Sequence, residues 1–272
     1  MTAVRLHSES VRPTLHLDRL EAVMVDVDDV VADAEQLHAI AWQNTFEEFL
    51  RRRTGSGERV PDFEVPADYL RYARGRPSEE TVRDFLTARG VKISTRPADP
   101  SVDAGPSEDT VASLAARKDL WFTRELRARG ARPFPAAVEL LHELRARGLR
   151  TAAVSWDRNA RQLLASAHVA DLFDVTFDGA DVAALGLPPA PDPGVLVEVA
   201  HRLGVSPRRT AVVTSRLAEV TAAWHGCFEP IVAVDRRGCR GELYEAGAHV
   251  VVDDLADLVL VGRRHERSLV RR

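Results

Sequence analysis

Apolar residues in the second half of this chain fall into two alternating patterns. Short continuous runs stand at LRTAAVS (149–155), FDVTF (173–177), TAVVTS (210–215), PIVAVD (230–235) and AHVVVDD (248–254). Between them lie PAAVELLHELRARG (135–148), DRNARQLLASAHV (157–169), DPGVLVEVAHRLG (192–204) and RLAEVTAAWHG (216–226), where apolar positions recur every three or four residues. The first pattern predicts strands buried on both faces, and the second predicts amphipathic helices. Pro135 falls in a first helical turn, and Gly148, Gly204 and Gly226 fall where C-caps are expected. Strands alternating with helices predict an α/β fold with a parallel sheet covered on both faces. The apolar run at 20–26 is assigned to the same sheet.

The middle of the chain reads differently. AEQLHAIAWQNTFEEFLRRR (34–53), SEETVRDFLTARG (78–90) and DTVASLAARKDLWFTRELRARG (109–130) are helical patterns, and no buried strand is evident among them. Two loop-like segments interrupt, TGSGERVPDFEVP (54–66) and STRPADPSVDAGPSED (94–109), the second expected to be mobile. The expected organisation is a core of 18–33 and 130–262, a helical cap of 34–129, and flexible termini at 1–17 and 263–272.

Composition narrows the classes. The chain has 272 residues and a net charge of −4, so it carries no electrostatic footprint for nucleic acid. Cys227 and Cys239 match no metal spacing and read as incidental, reduced thiols. No signal-peptide pattern and no membrane-length apolar run is evident, so the expected location is the cytoplasm. The lysines are Lys92 and Lys118 alone, which leaves few candidates for chemistry that needs one.

The chemistry concentrates at EAVMVDVDDVVADAE (21–35), where an apolar run stops at Asp26 and is followed by Asp28, Asp29 and Asp33. In an open parallel sheet, ligands bind beyond the carboxyl ends of the strands. A carboxylate there can attack a phosphoryl centre while a second, two residues on, exchanges a proton with the leaving or entering oxygen. Acids at strand ends also cap turns and helix starts, and this reading stays open for Asp26 and Asp28 on their own.

At this point the chain resembles a family. DVDDV (26–30) after an apolar strand is similar to the first motif of the haloacid dehalogenase superfamily, and TAAVS (151–155) to its second. DAEQLHAIAW (33–42), RKD (117–119), SWDRN (155–159), DLFDVTFDGADVAALGLP (171–188) and PDP (191–193) stand in the order of β-phosphoglucomutase-like members, over about residues 20–260. The resemblance implies a Rossmann-like α/β core with an inserted α-helical cap. It implies that Asp26 is the nucleophile and a Mg²⁺ ligand. Asp28 becomes the acid/base, its carbonyl also touching the metal. Ser155 and Asn159 line the phosphate site, and His38 and Lys118 face the substrate from the cap and hinge. Asp29 stands where many relatives have glycine and many others aspartate, so it breaks nothing in the pattern, and Trp42 packs the cap.

Other positions depart from the pattern. Ala190 stands where the third motif has a lysine, and Thr214 and Ser215 stand where the fourth has metal-binding acids. A cap arginine would fall near Ser78, with Arg76 displaced from it. Trp156 and Asp157 replace small residues, so that Trp156 fills the pocket and Asp157 repels a phosphate. Each change removes positive charge, a metal ligand or space, and the Mg²⁺ site expected is a weak one. Arg216, directly after Ser215, is a candidate compensating cation for Asp26 and Asp28, with Arg158 a second. Two function classes follow. One is a weakly active or inactive pseudoenzyme with a ligand-binding or regulatory role. The other is an active hydrolase (phosphatase) or sugar phosphomutase working through an aspartyl-phosphate at a rewired site. In both, the expected partner is a small phosphorylated metabolite, with no nucleic acid and no membrane; no protein partner is indicated.

Overall fold

The computed structural model describes residues 12–53, 60–94 and 109–263. They divide into two compact units: 12–31, 133–155 and 171–263 form unit 1, and 32–53, 60–94, 109–132 and 156–170 form unit 2.

Unit 1 is built on β2 (Ala22–Asp26), every residue of which is buried. β5 (Arg150–Val154) pairs with it in parallel on one side, Asp26 opposite Val154. On the other side β7 (Thr210–Thr214) pairs in parallel, Val25 opposite Val213. With β6 (Val175–Phe177), β8 (Ile231–Val234) and β9 (Val250–Val252), the sheet runs β6–β5–β2–β7–β8–β9, all parallel. Numbered by their sequence within this sheet, the strands stand 3-2-1-4-5-6, the doubly wound order that reverses direction beside the first strand. Helices cover both faces: α4 (Pro135–Ala146) and α7 (Gly194–Leu203) pack on β5, α8 (Leu217–His225) on β7 and β8, and α9 (Arg240–Glu245) on β9.

Helix ends follow local chemistry. Pro135 opens α4, where a missing N–H costs nothing. Gly204 closes α7 in the left-handed conformation, φ 67°. Gly226 ends α8 with φ −79°, so its left-handed freedom is not what the site needs. A Cβ there would lie 2.7 Å from the Phe228 ring; close approach is the constraint, and Cys227 makes the left-handed turn instead, φ 58°.

The flexible terminus expected at 1–17 gives way at its C-terminal end. β1 (Thr14–His16) pairs in parallel with β10 (Val259–Val261), because Leu15 and Leu17 find a core to bury in. Residues 1–11 and 264–272 lie outside the described residues, as do 54–59 and 95–108 of the two expected loops.

Unit 2 is helical. α1 (Glu35–Arg53) packs along α3 (Val111–Arg129), and α2 (Ser78–Ala88) packs on α3. Thr110 and Ser113 cap α3 with reciprocal hydrogen bonds. A π-helical turn at Tyr69–Ala73, not foreseen from periodicity, contributes buried Tyr69 and Tyr72. Five of the nine phenylalanines fall in this unit, and Phe46 meets Phe85 at 4.0 Å and Phe63 at 5.2 Å between ring centroids. Phe63 lies in a segment expected to be loop, yet it is part of this core. Trp42 stacks on Phe46 at 5.3 Å, consistent with a packing role.

The segment 157–169, expected with the core, belongs to unit 2. Its helix α5 (Ala160–Ser166) packs on α3, Ser166 Oγ accepts from the Ala131 N–H at 3.1 Å, and Thr123 Oγ1 donates to Asn159 Oδ1 at 3.3 Å.

Phe46 is fully buried amid aromatic rings. Phe46→Ala is therefore expected to destabilise the protein by about 3–5 kcal/mol. Urea unfolding followed by tryptophan emission checks this; a loss under about 1 kcal/mol, the scale of a surface change, would contradict the packing described.

Candidate active site

Asp26 is the last residue of one of the two central strands, at the point where strand order reverses, and is only 4% exposed. The chain turns immediately: the Val27 N–H donates to the Val154 carbonyl at 3.0 Å, and the Val31 N–H to the Val27 carbonyl at 3.1 Å. Asp29 takes the left-handed conformation the turn requires, φ 64°, which aspartate tolerates better than most residues. Its carbonyl accepts from Arg236 Nε at 3.1 Å, and the Arg236 guanidinium lies 4.3 Å over the Phe134 ring. Asp28 is buried, and Ser155 Oγ, at the end of the neighbouring strand, donates to its Oδ2 at 2.8 Å. The hydroxyl assigned by resemblance to a phosphate is thus engaged by the second carboxylate.

The end of β7 supplies the other half. Thr214 Oγ1 lies 2.5 Å from Glu219 Oε2 and 3.4 Å from Asp26 Oδ2. A hydroxyl has one proton, so the shorter contact takes the donation and Asp26 is left with a long contact that this proton does not serve. The Arg216 N–H donates back to Thr214 Oγ1 at 3.1 Å. The Arg216 side chain turns toward the carboxylates, Nε 3.9 Å from Asp26 Oδ2 and Nη1 3.6 Å from Glu219 Oε1. Ser215 is buried beside them.

Glu219 was missed by sequence reasoning. An acid in a first helical turn reads as a partner of the helix dipole. The available signal was its place on the apolar stripe of α8, beside buried Val220 and Ala223, where a solvated acid does not belong.

Burial first, then the negative charges of Glu219, Asp28 and Asp29, push the Asp26 carboxyl well above the usual carboxylate range, with Arg216 pulling the other way. Burial also opposes the charge on Arg216, but Glu219, Asp26 and Asp28 outweigh it and hold the guanidinium firmly protonated. Asp26 Oδ1 is buried without a hydrogen-bond partner.

The other expected site residues lie in unit 2 or carry no charge. Lys118 is 3% exposed, and its Nζ donates to Asp157 Oδ2 at 2.9 Å. His38 Nδ1 lies 3.9 Å from the same oxygen, and its ring stacks on Phe122 at 4.4 Å. The Asn159 N–H and Nδ2 both donate to Asp157 Oδ1, at 2.7 and 2.8 Å. Arg158 is exposed. Ser78 opens α2, and Arg76 is an exposed arginine paired with Asp84. Ala190 lies in the connection between α6 (Gly179–Leu185) and α7 and brings no cation.

The model of the haloacid dehalogenase-like hydrolases matches residues 20–224. The chain belongs to this family. A protein named beta-phosphoglucomutase from Mycobacterium bovis is 32% identical over 246 residues, 89% of this chain and 92% of that protein. An uncharacterised glycosyl hydrolase of Mycobacterium tuberculosis is 34% identical over 247 residues, 90% of this chain; the chain spans only 18% of that protein's length. CbbY from Rhodobacter sphaeroides, in complex with xylulose-(1,5)bisphosphate, has the same fold at TM-score 0.68 and 21% identity, over 89% of this chain and 97% of that one. The β-phosphoglucomutase from Clostridium difficile does so at TM-score 0.65 and 18% identity, over 87% and 92%.

Mg²⁺, implied by the family, does not fit this residue set. It needs a near-octahedral shell of oxygens at about 2.1 Å, usually anchored on carboxylates. Among the described residues no three acids, histidines or cysteines are grouped to hold a metal. The carboxylate beside Asp26 is Glu219, engaged by Thr214, and a fixed guanidinium already lies within 4 Å of both acids.

A raised folded value for Asp26 sets the sign of its linkage. Its contribution to stability is complete below the unfolded value, about 3.9, and is lost as pH rises through the folded value. Asp26→Asn should therefore raise the melting temperature at pH 7, with the gain fading to nothing as pH falls below about 4. A melting series from pH 3 to 8 checks this, and a variant less stable than the parent at pH 7 would contradict the raised value.

Proposed function

We propose that this chain is a sugar-phosphate-binding member of its family in which phosphoryl transfer is weak or lost, and in which Arg216 stands in place of the divalent cation. The observation that carries the reading is the position of the guanidinium, 3.9 Å from Asp26 Oδ2 and 3.6 Å from Glu219 Oε1. A protonated arginine delivers one positive charge, cannot coordinate a phosphoryl oxygen as a metal does, and repels a second cation from the same carboxylates. Phosphoryl transfer rests on positioning and neutralisation of charge. Loss of one preorganised stabilising donor costs about 3–4 kcal/mol of barrier. Here the lysine is replaced by Ala190 and the distal acids by Thr214 and Ser215. The raised carboxyl value of Asp26 works in the same direction, because a neutral carboxyl is a poor nucleophile.

What remains suits binding. Asp28 and Ser155 keep their places at adjoining strand ends. The fold neighbour CbbY holds a bisphosphate in its crystal structure, and a small phosphorylated metabolite is the ligand proposed here. A cytoplasmic location accords with two free cysteines and with no described helix long and apolar enough to cross a membrane.

An active phosphatase or phosphomutase is the second reading, favoured by the retained pair of Asp26 and Asp28 and by 32% identity to a protein named beta-phosphoglucomutase. One experiment separates the two. The full chain and its Asp26→Asn variant are given glucose 1-phosphate and glucose 6-phosphate, with Mg²⁺ or with EDTA, while melting temperature and product are followed. The proposal expects a melting shift from a sugar phosphate that is equal in Mg²⁺ and EDTA, with product no greater than from the variant. Mg²⁺-dependent turnover that Asp26→Asn abolishes would establish the active reading instead.

A further inference from the structure

Thr214, Arg216 and Glu219 brace one another within a short stretch of chain. The Thr214 hydroxyl donates to Glu219 Oε2 at 2.5 Å, and the Arg216 N–H donates to that hydroxyl at 3.1 Å. The Glu219 N–H donates to the Arg216 carbonyl at 3.1 Å, and the Arg216 guanidinium lies 3.6 Å from the second oxygen of Glu219. Backbone and hydroxyl bonds thus bring the two charges together in advance, so little side-chain freedom is lost when they pair. An acid in a first helical turn ordinarily faces water. The Glu219 side chain is only 8% exposed, and that of Arg216 23%, so this is not the loose surface pair that i,i+3 spacing usually gives.

Asp26 meets the same guanidinium on other terms. Its contact is 3.9 Å and comes from another strand. At these separations both contacts are ion pairs rather than hydrogen bonds, so distance alone does not choose between the acids. Donors do. Asp26 Oδ1 is buried without a hydrogen-bond partner, and the Thr214 proton that could serve Oδ2 goes to Glu219. A buried carboxylate short of donors is poorly equipped to carry the charge that would hold an arginine. Against burial, Glu219 also contributes more than Asp26 to keeping the guanidinium protonated.

We propose that Glu219 is the residue that holds Arg216 turned toward the strand ends, that Asp26 is not, and that Glu219 thereby withholds the guanidinium charge from an anionic ligand there. Glu219 is then a positioning residue, acting through Arg216. Its bearing on ligands deepens the reading that Arg216 takes the cation's place, and rests on it; the choice between the two acids does not.

The test uses the full chain at pH 7 in EDTA. Glu219→Gln should lower the melting temperature by roughly 5 °C or more, because a buried charge loses its partner. The loss should be much smaller in an Arg216→Met background, whereas Asp26→Asn should show no such coupling to Arg216→Met. Packing alone would not alter the reactivity of Arg216 toward phenylglyoxal, read by peptide mass spectrometry. It should rise in Glu219→Gln and stay at the parent's level in Asp26→Asn, while Arg147, paired with Glu143, reacts alike in all. Inorganic phosphate should bind Glu219→Gln roughly tenfold more tightly than the parent, and Arg216→Met should abolish the gain. Coupling of Arg216 to Asp26 as large as to Glu219, Arg216 freed by Asp26→Asn, or phosphate binding unchanged in Glu219→Gln would each overturn the proposal. If Glu219→Gln does not fold, Arg216 reactivity in Asp26→Asn decides: protection supports the proposal and release overturns it. Mg²⁺-dependent turnover by the parent would overturn the earlier reading and leave these couplings as measured.

Discussion

A carboxylate at the end of a strand buried on both faces has lost the water that would stabilise its charge, and what surrounds Asp26 follows from that. Burying an ion costs several kcal/mol unless a partner of opposite sign and suitable hydrogen bonds replace the solvent. In unit 1 the partner is Arg216, held at the neck of α8 by its own backbone bond to Thr214. Glu219 shares that guanidinium and takes the Thr214 hydroxyl. The cluster is internally braced but short of positive charge, with Asp26, Asp28, Asp29 and Glu219 around one arginine, and the residual imbalance falls on Asp26 as a reluctance to ionise.

Unit 2 obeys the same rule with the signs exchanged. Lys118 is the buried ion, Asp157 is its partner, and Asp119 adds a weaker contact at 3.4 Å. Burial alone would raise the Asp157 carboxyl value, yet Lys118, His38 and the Asn159 N–H outweigh it and hold the group below the usual range. In each unit the buried charge faces charged side chains of the same unit, fully matched in unit 2 and only in part in unit 1.

Most of the sheet is legible in the sequence because its strands are continuous apolar runs, and β2, β5, β7, β8 and β9 lie within those runs. α4, α7 and α8 carried both periodicity and punctuation, Pro135 and Gly204 being the clearest marks. Short elements escaped: α6 and α9 span two turns or fewer, too little for a period to declare itself, and β1 and β10 have three residues each. Motif reading reached Asp26, Asp28 and Ser155 because they sit at strand ends, where fold and chemistry coincide. It did not reach Glu219, whose role depends on a helix turning a residue inward five positions after Thr214. Nor did it pair Lys118 with Asp157, although it singled out both, since the contact joins residues 39 apart in sequence.

The pairing of β1 with β10 has a different consequence. Thr14 lies opposite Val259 and His16 opposite Val261, so the chain joins and leaves unit 1 through neighbouring strands of one small ladder. Domains whose ends lie close together tolerate insertion into a larger polypeptide, because the host chain need only be opened at one place. The β1–β10 ladder thus works as a clasp that holds the first and last described strands together.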